Sequence, residues 1–502
     1  MKIVINKNSS ISVHDQIYSE IENRIRSGIL RAETKLPSLR KMCEDIGVSH
    51  MTMVKVYEEL ETNGLVEKIH GKGTYVKSQF RNMSPSQAEQ HQVINTRTED
   101  PDSGGVQAWQ DEVDDYVTQA GFRFNNNLKH SVKGTNLSLA CLGQHLLPTR
   151  TILENFLKSD LTQKMNDWYP PIEGIRVMRE TSVSVLSDRN VEVSVDETLI
   201  TVGSQQALRL IARTFIGPGD VVVVGAPTYP GAIDVFKNRG AEIVEVPIDQ
   251  DGMNTMSLLS ICECKKVKMV YTMPCYQNPT GAVMSMERKQ ELLELANYHN
   301  FMIIEDEVNG QLSYEGSTLP LKALDTNGRV LYVFGFSKLY GHALRLSVIS
   351  GSEKLLSKVI SAKSSSDGGA PLINQLMMAS FAGSDTQKHY MTDLISSLKA
   401  VRNNVYKALK SHLPSYVDVN LPKGGMLFWL TFPSDFNCNL LHYKAIEKYQ
   451  ITFLPGEFCY NSKQGRNQMR ICFTSVSEDL VVDSIKKIAS LVDEVYALSK
   501  QF

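Results

Sequence analysis

The sequence predicts an α/β protein with a mostly parallel sheet, preceded by a small α+β module. The chain has 502 residues, and because single cores stop growing near ~250–300 residues, we expect at least two domains. From about residue 131 onward, short β-branched runs alternate with helical stretches, which is typical of parallel strands covered by helices. We therefore expect a small module over residues 1–78, a flexible linker over 79–130 and the large α/β domain over 131–502.

The composition excludes several classes of protein. Hydrophobic residues make up 42% and charged residues 22% of the chain, which are the proportions of a folded protein rather than a disordered one. No apolar run approaches the ~20 residues of a membrane helix. The N-terminus lacks the apolar core of a secretory signal, so a cytoplasmic protein is expected. The eight cysteines are scattered without the spacing of zinc ligands, and no metal is expected.

Two helices open the small module. Ile17, Ile21 and Ile25 are spaced four residues apart and therefore share one helical face. Ser38 is a good N-cap for a second helix, which ends where Gly47 breaks the pattern.

A third helix is expected from about His50 to Asn63, with Ser49 as its N-cap. The residues expected on its buried face are Val54, Tyr57 and Leu60. The residues expected to face away near its N-terminal end are His50, Met51, Thr52 and Lys55. This is the arrangement of a recognition helix, whose first turns reach base edges in the major groove of DNA.

Two short strands with a basic glycine tip follow the third helix. Gly64–Ile69 and Tyr75–Val76 are the expected strands, and His70–Thr74 is the turn between them. Residues 1–78 contain twelve Lys or Arg and ten Asp or Glu, so their net charge of +2 is only a weak sign of nucleic-acid binding.

This module resembles the GntR family of bacterial winged helix-turn-helix regulators, through Leu36-Pro37-Ser38, Gly47-Val48-Ser49, Leu60, Gly64-Leu65 and Gly71–Val76. The resemblance implies binding to double-stranded operator DNA. The residues expected to contact DNA are Ser38, Arg40, Ser49, His50, Thr52, Lys55, Lys72 and Gly73. Family members often carry arginine where this chain has His50, which cannot make arginine's bidentate contact to guanine, so a different operator is expected. A winged helix that mediates only protein contacts is the alternative interpretation.

Residues 79–130 have the composition of a flexible linker. The stretch from Gln79 to Gly105 is rich in Ser, Gln, Asn, Asp and Glu and contains two prolines. Apolar residues return between Asp111 and Phe124, where a short helix is expected.

Six short β-branched runs predict the strands of the large sheet. They occupy residues 198–201, 221–224, 243–246, 267–271, 301–304 and 330–334. In sheets of this kind ligands bind beyond the carboxyl ends of the strands, so the informative residues are those that follow each run.

Functional groups follow several of these runs. Gly203–Leu208 opens a helix whose free N–H groups suit a phosphate. Asp306 is placed to pair with a cationic ring nitrogen. Lys338 can form a Schiff base with an aldehyde, and Arg345, seven residues further on, can bind a phosphate. Alone, Lys338 would be read as a surface lysine, but these groups and Asn278-Pro279-Thr280-Gly281, in this order, predict one cofactor site.

The large domain resembles fold-type I aminotransferases, which bind pyridoxal 5'-phosphate. The whole chain resembles the MocR subfamily of GntR regulators, which joins these two modules. This resemblance implies that Lys338 forms the Schiff base with the cofactor and that Asp306 pairs with the ring N–H. It further implies that Asn278 bonds the ring hydroxyl and that Tyr229 stacks on the ring.

The same resemblance assigns the phosphate, the ligand and the partner. Ser204, Gln205 and Arg345 would hold the phosphate, and Tyr169 would reach it from the partner subunit of a homodimer. Arg470 would bind the carboxylate of an amino-acid ligand, a task suited to the planar fork of a guanidinium.

Several positions depart from the aminotransferase pattern. Val308 and Asn309 stand where relatives generally have a tyrosine, His342 where a proline is common, and Ser347 where a glycine is usual. Efficient transamination is therefore not expected, and the sequence favours a regulator that senses an amine or an amino acid.

Two alternatives stay open at the level of the sequence. A working aminotransferase with a fused DNA-binding domain would need the same Lys338, Asp306 and Arg470. A sensor of pyridoxal phosphate itself would also show this pattern.

Overall fold

The fold is taken from a computed structural model of the chain. The structure describes residues 12–26, 30, 34–69, 73–77, 134–166 and 169–500. They belong to two compact units, an N-terminal one up to residue 77 and a larger one from residue 134 to residue 500. The expected linker, the expected helix between Asp111 and Phe124, and Lys72 lie outside the described residues.

The N-terminal unit contains three helices and a two-stranded antiparallel sheet. Gly47, with φ of 75°, ends the second helix, and the sheet pairs Val66 with Val76. The elements are α1 (Val13–Arg26), α2 (Leu39–Ile46), α3 (His50–Thr62), β1 (Val66–Ile69) and β2 (Gly73–Val76). These bounds agree with the predicted order of helices and strands.

The core of this unit confirms one predicted helix face and corrects another. Ile17, Ile21 and Ile25 of α1 are buried as expected. In α3 the residues buried are Met53, Val56, Tyr57 and Leu60, whereas Val54 is only half-buried. The expectation for Val54 was wrong, because the four buried residues follow the i, i+3, i+4, i+7 spacing of one helical face and Val54 lies outside it.

The larger unit is built on a mixed sheet of eight strands among the described residues. The strands are β4 (Thr198–Thr201), β5 (Val221–Ala226), β6 (Glu242–Asp249), β7 (Gly252–Met253), β8 (Val267–Thr272), β9 (Met302–Glu307), β10 (Val330–Gly335) and β11 (Ser347–Ser350). Their spatial order is β4-β11-β10-β9-β8-β5-β6-β7. The five neighbouring strands β10, β9, β8, β5 and β6 run parallel to one another. The prediction of a mostly parallel sheet is confirmed.

Helices cover this sheet and supply most of its core. The helix over Ser204–Phe215 packs on β4, β10 and β11 and on its neighbouring helices. The helices, in chain order after α3, are α4 (Thr149–Lys158), α5 (Arg176–Ser187), α6 (Ser204–Phe215), α7 (Pro230–Lys237), α8 (Thr255–Cys264), α9 (Met286–His299), α10 (Ser337–Tyr340), α11 (Glu353–Ser364), α12 (Leu372–Phe381), α13 (Asp385–His412), α14 (Cys438–Tyr449) and α15 (Glu478–Ser499).

A smaller antiparallel sheet lies in the C-terminal part of the chain. Its order is β12-β13-β16-β15, and α13 and α14 each pack against α15 in the same part. The strands are β12 (Asp418–Val419), β13 (Leu427–Thr431), β15 (Leu454–Pro455) and β16 (Gln468–Cys472), while β3 (Thr135–Asn136) pairs in parallel with β14 (Ile451–Thr452). Within the described parts of the chain, no helix is both long and apolar enough to span a bilayer.

The bounds of β9 correct one detail of the prediction. The strand runs from Met302 to Glu307, so Asp306 lies within it rather than after it. On the neighbouring strand β10, Val333 lies in register with Asp306. Because successive side chains of a strand point to opposite faces, Asp306 points to one face and its two acidic neighbours to the other.

The burial within α3 can be tested by two substitutions. Met53→Ala should lower the free energy of opening of α3 by roughly 2–4 kcal/mol, since Met53 is fully buried. Val54→Ala should lower it by about 1 kcal/mol or less, since Val54 is half-buried. Hydrogen exchange of the α3 amides in the full chain measures both values, and an equal or larger loss for Val54→Ala would contradict the assigned face.

Candidate functional site

The exposed end of α3 carries several of the residues expected to contact DNA. His50 and Lys55 are exposed, and Thr52 is half-buried. The Ser49 hydroxyl accepts a hydrogen bond from the Thr52 amide at 3.2 Å, and Ser38 caps α2 in the same way through Lys41 at 3.3 Å. Both serines therefore fix the starts of helices. The side chain of Arg40, in α2, lies outside the described residues, as does Lys72.

Lys35 is a basic residue of this unit that the sequence pattern did not single out. Its ammonium lies 5.8 Å from the centre of the Tyr75 ring, and its side chain passes close to Gly73, where a Cβ would come within 2.8 Å of it. The only signal in the sequence is a lysine directly before Leu36-Pro37. Lys35 therefore places a positive charge beside the two-stranded sheet of β1 and β2.

The predicted cofactor residues of the larger unit, except Tyr169, come together at the carboxyl edge of its parallel strands. Asp306 lies near the end of β9, and Lys338 lies in α10, directly after β10. Electrostatic interactions link Lys338 with Asp306, Arg345 and Arg470. The structure thus brings together four groups, of which Asp306 and Arg470 lie more than 160 residues apart in the sequence.

Asp306 is a buried carboxylate with one satisfied oxygen. The hydroxyl of Tyr271, on β8, donates to Oδ2 at 2.8 Å, while Oδ1 is buried with no hydrogen-bond partner. Burial raises the pKa of Asp306 to about 6, and the Tyr271 hydrogen bond and the Lys338 cation oppose that rise. Oδ1 therefore remains available to a cationic donor.

The predicted phosphate site is the N-terminus of α6. Ser204 begins this helix after Gly203, whose φ is 81°, and amides of a first helical turn have no acceptor within the helix. Arg345 lies against the turn, since a Cβ on Gly203 would come within 2.8 Å of its Nη2 atom. A positive helix end and a guanidinium beside it form a cradle for a phosphate.

Gln205 and Tyr229 are joined at the same edge of the sheet. The Tyr229 hydroxyl donates to Gln205 Oε1 at 3.1 Å, and Gln205 Nε2 donates to the Gly231 carbonyl at 3.1 Å. Burial raises the pKa of Tyr229, and the nearby Asp306 carboxylate adds to that rise. The Gln205 side chain therefore orients the ring that is expected to stack on the cofactor.

Arg470, on β16, is a buried guanidinium whose Nε–H group is free. Its Nη1 atom donates to Asn278 Oδ1 at 2.8 Å, its Nη2 atom donates to the Ser138 carbonyl, and its Nε–H has no partner. Burial lowers the pKa of this guanidinium, although arginine stays charged at neutral pH. A buried cation with a free N–H suits the carboxylate of a ligand.

Residues 137–143 form a segment over the site, here called the strap. Its ends are held by the hydrogen bond from Leu137 N to Thr452 O and by the one from Gly143 N to Thr474 O, 2.8 and 2.7 Å long. Between them, the carbonyl of Ser138 accepts from Arg470 and that of Ala140 accepts from Lys338. Sequence reasoning missed the strap because main-chain carbonyls have no signature in a sequence.

The surroundings of Lys338 make its ammonium easier to deprotonate. Burial lowers its pKa, and the positive charges of Arg470 and Arg345 act in the same direction. The thiol groups of Cys141 and Cys472 oppose that shift. A neutral amine is the form that attacks an aldehyde.

The departures from the family pattern have structural surroundings of their own. Ser347 shares a buried hydrogen bond of 2.6 Å with Thr201 on the neighbouring strand. Burial lowers the pKa of His342, as do Lys338 and Arg345, and its buried Nε2 atom has no partner. Asn309 is buried, with a free Oδ1 atom, and its Nδ2 donates to the Tyr276 carbonyl at 3.5 Å.

An acidic cluster lies on the opposite face of β9. Glu307 accepts from Arg189 and from the Tyr332 hydroxyl, and Glu305 accepts from the amides of Leu321 and Lys322. With Cys275 these groups lie within 4.8 Å of one another. Because every carboxylate oxygen already accepts a hydrogen bond, the cluster serves the core rather than a ligand.

The chain matches two families along its length. Residues 140–488 match the family described as aminotransferase class I and II, and residues 13–76 match the bacterial regulatory proteins of the gntR family. The chain belongs to the class I and II aminotransferase family. In this member a GntR-type DNA-binding domain precedes the aminotransferase domain, which is the MocR-like architecture and confirms the predicted fold classes.

Three comparisons illustrate this double relationship. Aromatic-amino-acid aminotransferase 1 of Thermococcus litoralis is 35% identical over 333 residues, which cover 65% of this chain and 80% of that protein. The uncharacterized HTH-type transcriptional regulator YdfD of Bacillus subtilis is 26% identical over 494 residues, 97% of this chain and 98% of that protein. The crystal structure of Pyrococcus horikoshii kynurenine aminotransferase, in complex with PMP, has a TM-score of 0.70 and 31% identity, and covers 76% of this chain and 96% of that one.

The cofactor of this aminotransferase-like domain is pyridoxal phosphate, and the residues present fit it. The unpartnered Oδ1 of Asp306 matches a pyridinium N–H, and the cradle at Gly203 beside Arg345 matches the phosphate. Tyr271 belongs to the site although the sequence pattern placed it only in a strand. Because Tyr271 lies on β8, the strand beside β9, its hydroxyl could have been considered as a hydrogen-bond partner of Asp306.

The hydrogen bond from Tyr271 to Asp306 predicts a pH dependence of cofactor binding. A pyridinium N–H needs an ionised carboxylate, so affinity for pyridoxal phosphate should fall as the pH drops through about 6. Tyr271→Phe removes a donor that lowers the Asp306 pKa. The loss should then begin about one pH unit higher, since a hydrogen bond contributes about 1.4 kcal/mol.

Binding titrations between pH 5 and 8 in wild type and variant measure this shift, and their comparison cancels the cofactor's own titration. Tyr332→Phe is the matched control, because Tyr332 is an equally buried tyrosine whose hydroxyl bonds Glu307 on the opposite face. An unchanged midpoint in Tyr271→Phe would refute the assigned role of the hydroxyl.

Proposed function

We propose that this protein is a transcriptional regulator that binds operator DNA through its N-terminal unit and senses an amine or amino acid through its aminotransferase-like domain. The observation that carries this proposal is that one chain holds a GntR-type domain and a site with both Lys338 and the buried Arg470. The same proposal places the protein in the cytoplasm, where its DNA lies.

The arrangement of the site supports recognition of an amino acid rather than of a simple amine. When bound, pyridoxal phosphate supplies an aldehyde that condenses with primary amines. Arg470 offers its free N–H to a carboxylate, while Asn278 holds the other side of the guanidinium. Asp306 would balance the charge of the cofactor ring, and the α6 N-terminus with Arg345 would hold its phosphate.

A working aminotransferase is the second candidate, favoured by the identity of 35% to an aromatic-amino-acid aminotransferase. Against it, Val308 and Asn309 depart from the tyrosine that the resemblance to aminotransferases leads us to expect. Regulators related to this chain match it over almost its full length. A sensor of the cofactor itself would use the same residues and respond to pyridoxal phosphate alone.

We further propose that the protein is a homodimer. Tyr169 is 81% exposed, and four other large apolar residues are exposed on the neighbouring segments around α4 and α12. They are Leu153, Leu157, Met165 and Ile373. A second copy of the chain would cover this apolar surface, and Tyr169 would then reach the phosphate of that partner.

DNA binding should be specific and sensitive to salt. Affinity for the chain's own promoter region should fall steeply as salt rises, because lysine and arginine displace counterions from DNA. Lys72→Ala should weaken binding to all duplexes about equally, whereas His50→Ala should alter base preference. Fluorescence anisotropy with promoter and random duplexes measures both effects, and equal affinity for the two duplexes in the wild type would end the regulator proposal.

Lys338→Ala should separate sensing from DNA binding. The variant should lose the covalent attachment of cofactor by borohydride and the response of operator affinity to a panel of amines and amino acids. It should still bind operator, because the DNA contacts lie in the other unit.

The rate of transamination distinguishes the proposed regulator from a working aminotransferase. With an amino donor and a keto acid, the wild type should fall far below the ~10 per second typical of enzymes. Steady-state transamination near that rate would favour the aminotransferase. An unchanged effector response in Lys338→Ala would show that sensing does not pass through the lysine.

A further inference from the structure

The turn that precedes α6 is held by a side chain beyond the predicted phosphate residues. Gln206 reaches back across the turn, and its Oε1 atom accepts a hydrogen bond of 2.7 Å from the amide of Val202. The two residues flank Gly203, Ser204 and Gln205, which form the predicted phosphate cradle. The shape of the cradle therefore depends on how the Gln206 amide is oriented.

Asp367, in the loop after α11, fixes that orientation. Gln206 Nε2 donates to Asp367 Oδ2 at 2.5 Å. An ionised carboxylate only accepts hydrogen bonds, so the NH₂ group of Gln206 must face Asp367 and its oxygen must face Val202. Burial raises the pKa of Asp367, but hydrogen bonds from Lys363 and from the Gly369 amide outweigh it and leave the pKa below its usual value. The carboxylate is thus ionised at neutral pH.

Lys363 holds Asp367 in place from α11. Its side chain is completely buried and its ammonium is paired with Asp367 Oδ1, which also accepts from the Gly369 amide at 2.8 Å. Lys363 is buried and Asp367 is half-buried, and such an ion pair adds little stability compared with an apolar pair of the same volume. Its contribution is geometric, because it holds the carboxylate that orients Gln206.

We propose that Lys363 and Asp367 are positioning residues that hold the phosphate-binding turn through Gln206. The proposal rests on the assignment of pyridoxal phosphate to this site. Neither residue touches the cofactor, so their effect should be confined to the phosphate. The ring and aldehyde are held by other residues, namely Asp306, Tyr229 and Lys338.

The test compares pyridoxal phosphate with pyridoxal, which has the same ring and aldehyde and no phosphate. Dissociation constants are measured for the full-length wild type and for Lys363→Met and Asp367→Asn. Each variant should bind pyridoxal phosphate about tenfold more weakly, the effect of losing about one hydrogen bond. The affinity for pyridoxal should stay unchanged. A general loss of stability would instead weaken the binding of both compounds.

Lys289→Met is the matched control, because Lys289 is also a buried lysine and donates to the Leu319 carbonyl instead. It should leave the ratio of the two affinities at the wild-type value. Gln206→Met covers the case in which Lys363→Met does not fold. It removes the hydrogen bonds of the Gln206 side chain to Val202 and to Asp367, and Gln206 is only half-buried. The double variant Gln206→Met, Lys363→Met should lose no more than Gln206→Met alone.

Two outcomes would overturn the proposal. One is an equal loss of affinity for both compounds in Lys363→Met and Asp367→Asn, and the other is an unchanged preference for the phosphorylated compound in Gln206→Met. If the wild type itself showed no preference for pyridoxal phosphate over pyridoxal, the assignment of the cofactor site would fail as well. Operator binding does not enter the test, so its result is separate from that of the regulator proposal.

Discussion

Three consecutive carboxylates, Glu305, Asp306 and Glu307, lie buried in the middle of the large sheet, and the site is arranged around the way in which each is satisfied. Burying an ionised carboxylate without partners is very costly. The pleat of β9 sends the two glutamates to one face, where Arg189, Tyr332 and two backbone amides satisfy them. Asp306 faces the other way with Tyr271 as its hydrogen-bond partner, and its Oδ1 atom is free for the ring N–H that we assign to it.

The remaining groups of the site follow from the parallel arrangement of the strands. Since parallel strands end at one edge, the turn before α6, the end of β9 and the start of α10 converge there. The C-terminal sheet adds Arg470 from β16, and the strap closes the space between them. One edge of the large sheet thus gathers Lys338, Asp306 and the turn before α6, the groups that we assign to the cofactor, and the C-terminal sheet places Arg470 beside them.

The sequence allowed the prediction of most of this arrangement, for identifiable physical reasons. Helix caps such as Ser49, strand periodicity and the order of Asp306, Lys338 and Arg345 are local signals that one chain suffices to show. The face of α3 was misjudged at Val54 because a shift of one position turns a helix by about 100°. The strap could not be foreseen because it acts through main-chain atoms. The contacts from Lys363 through Asp367 to Gln206 could not be foreseen because Gln206 and Asp367 lie 161 residues apart.

The strap has a consequence for how such sites diverge in evolution. The groups that it presents to Lys338 and Arg470 are main-chain carbonyls of Ala140 and Ser138. Point mutations replace side chains and leave carbonyl oxygens in place, so this wall of the site keeps its polarity through sequence drift. Point mutations can therefore change the size and shape of this wall through its side chains, but its acceptor atoms change only when the segment changes its length or its path.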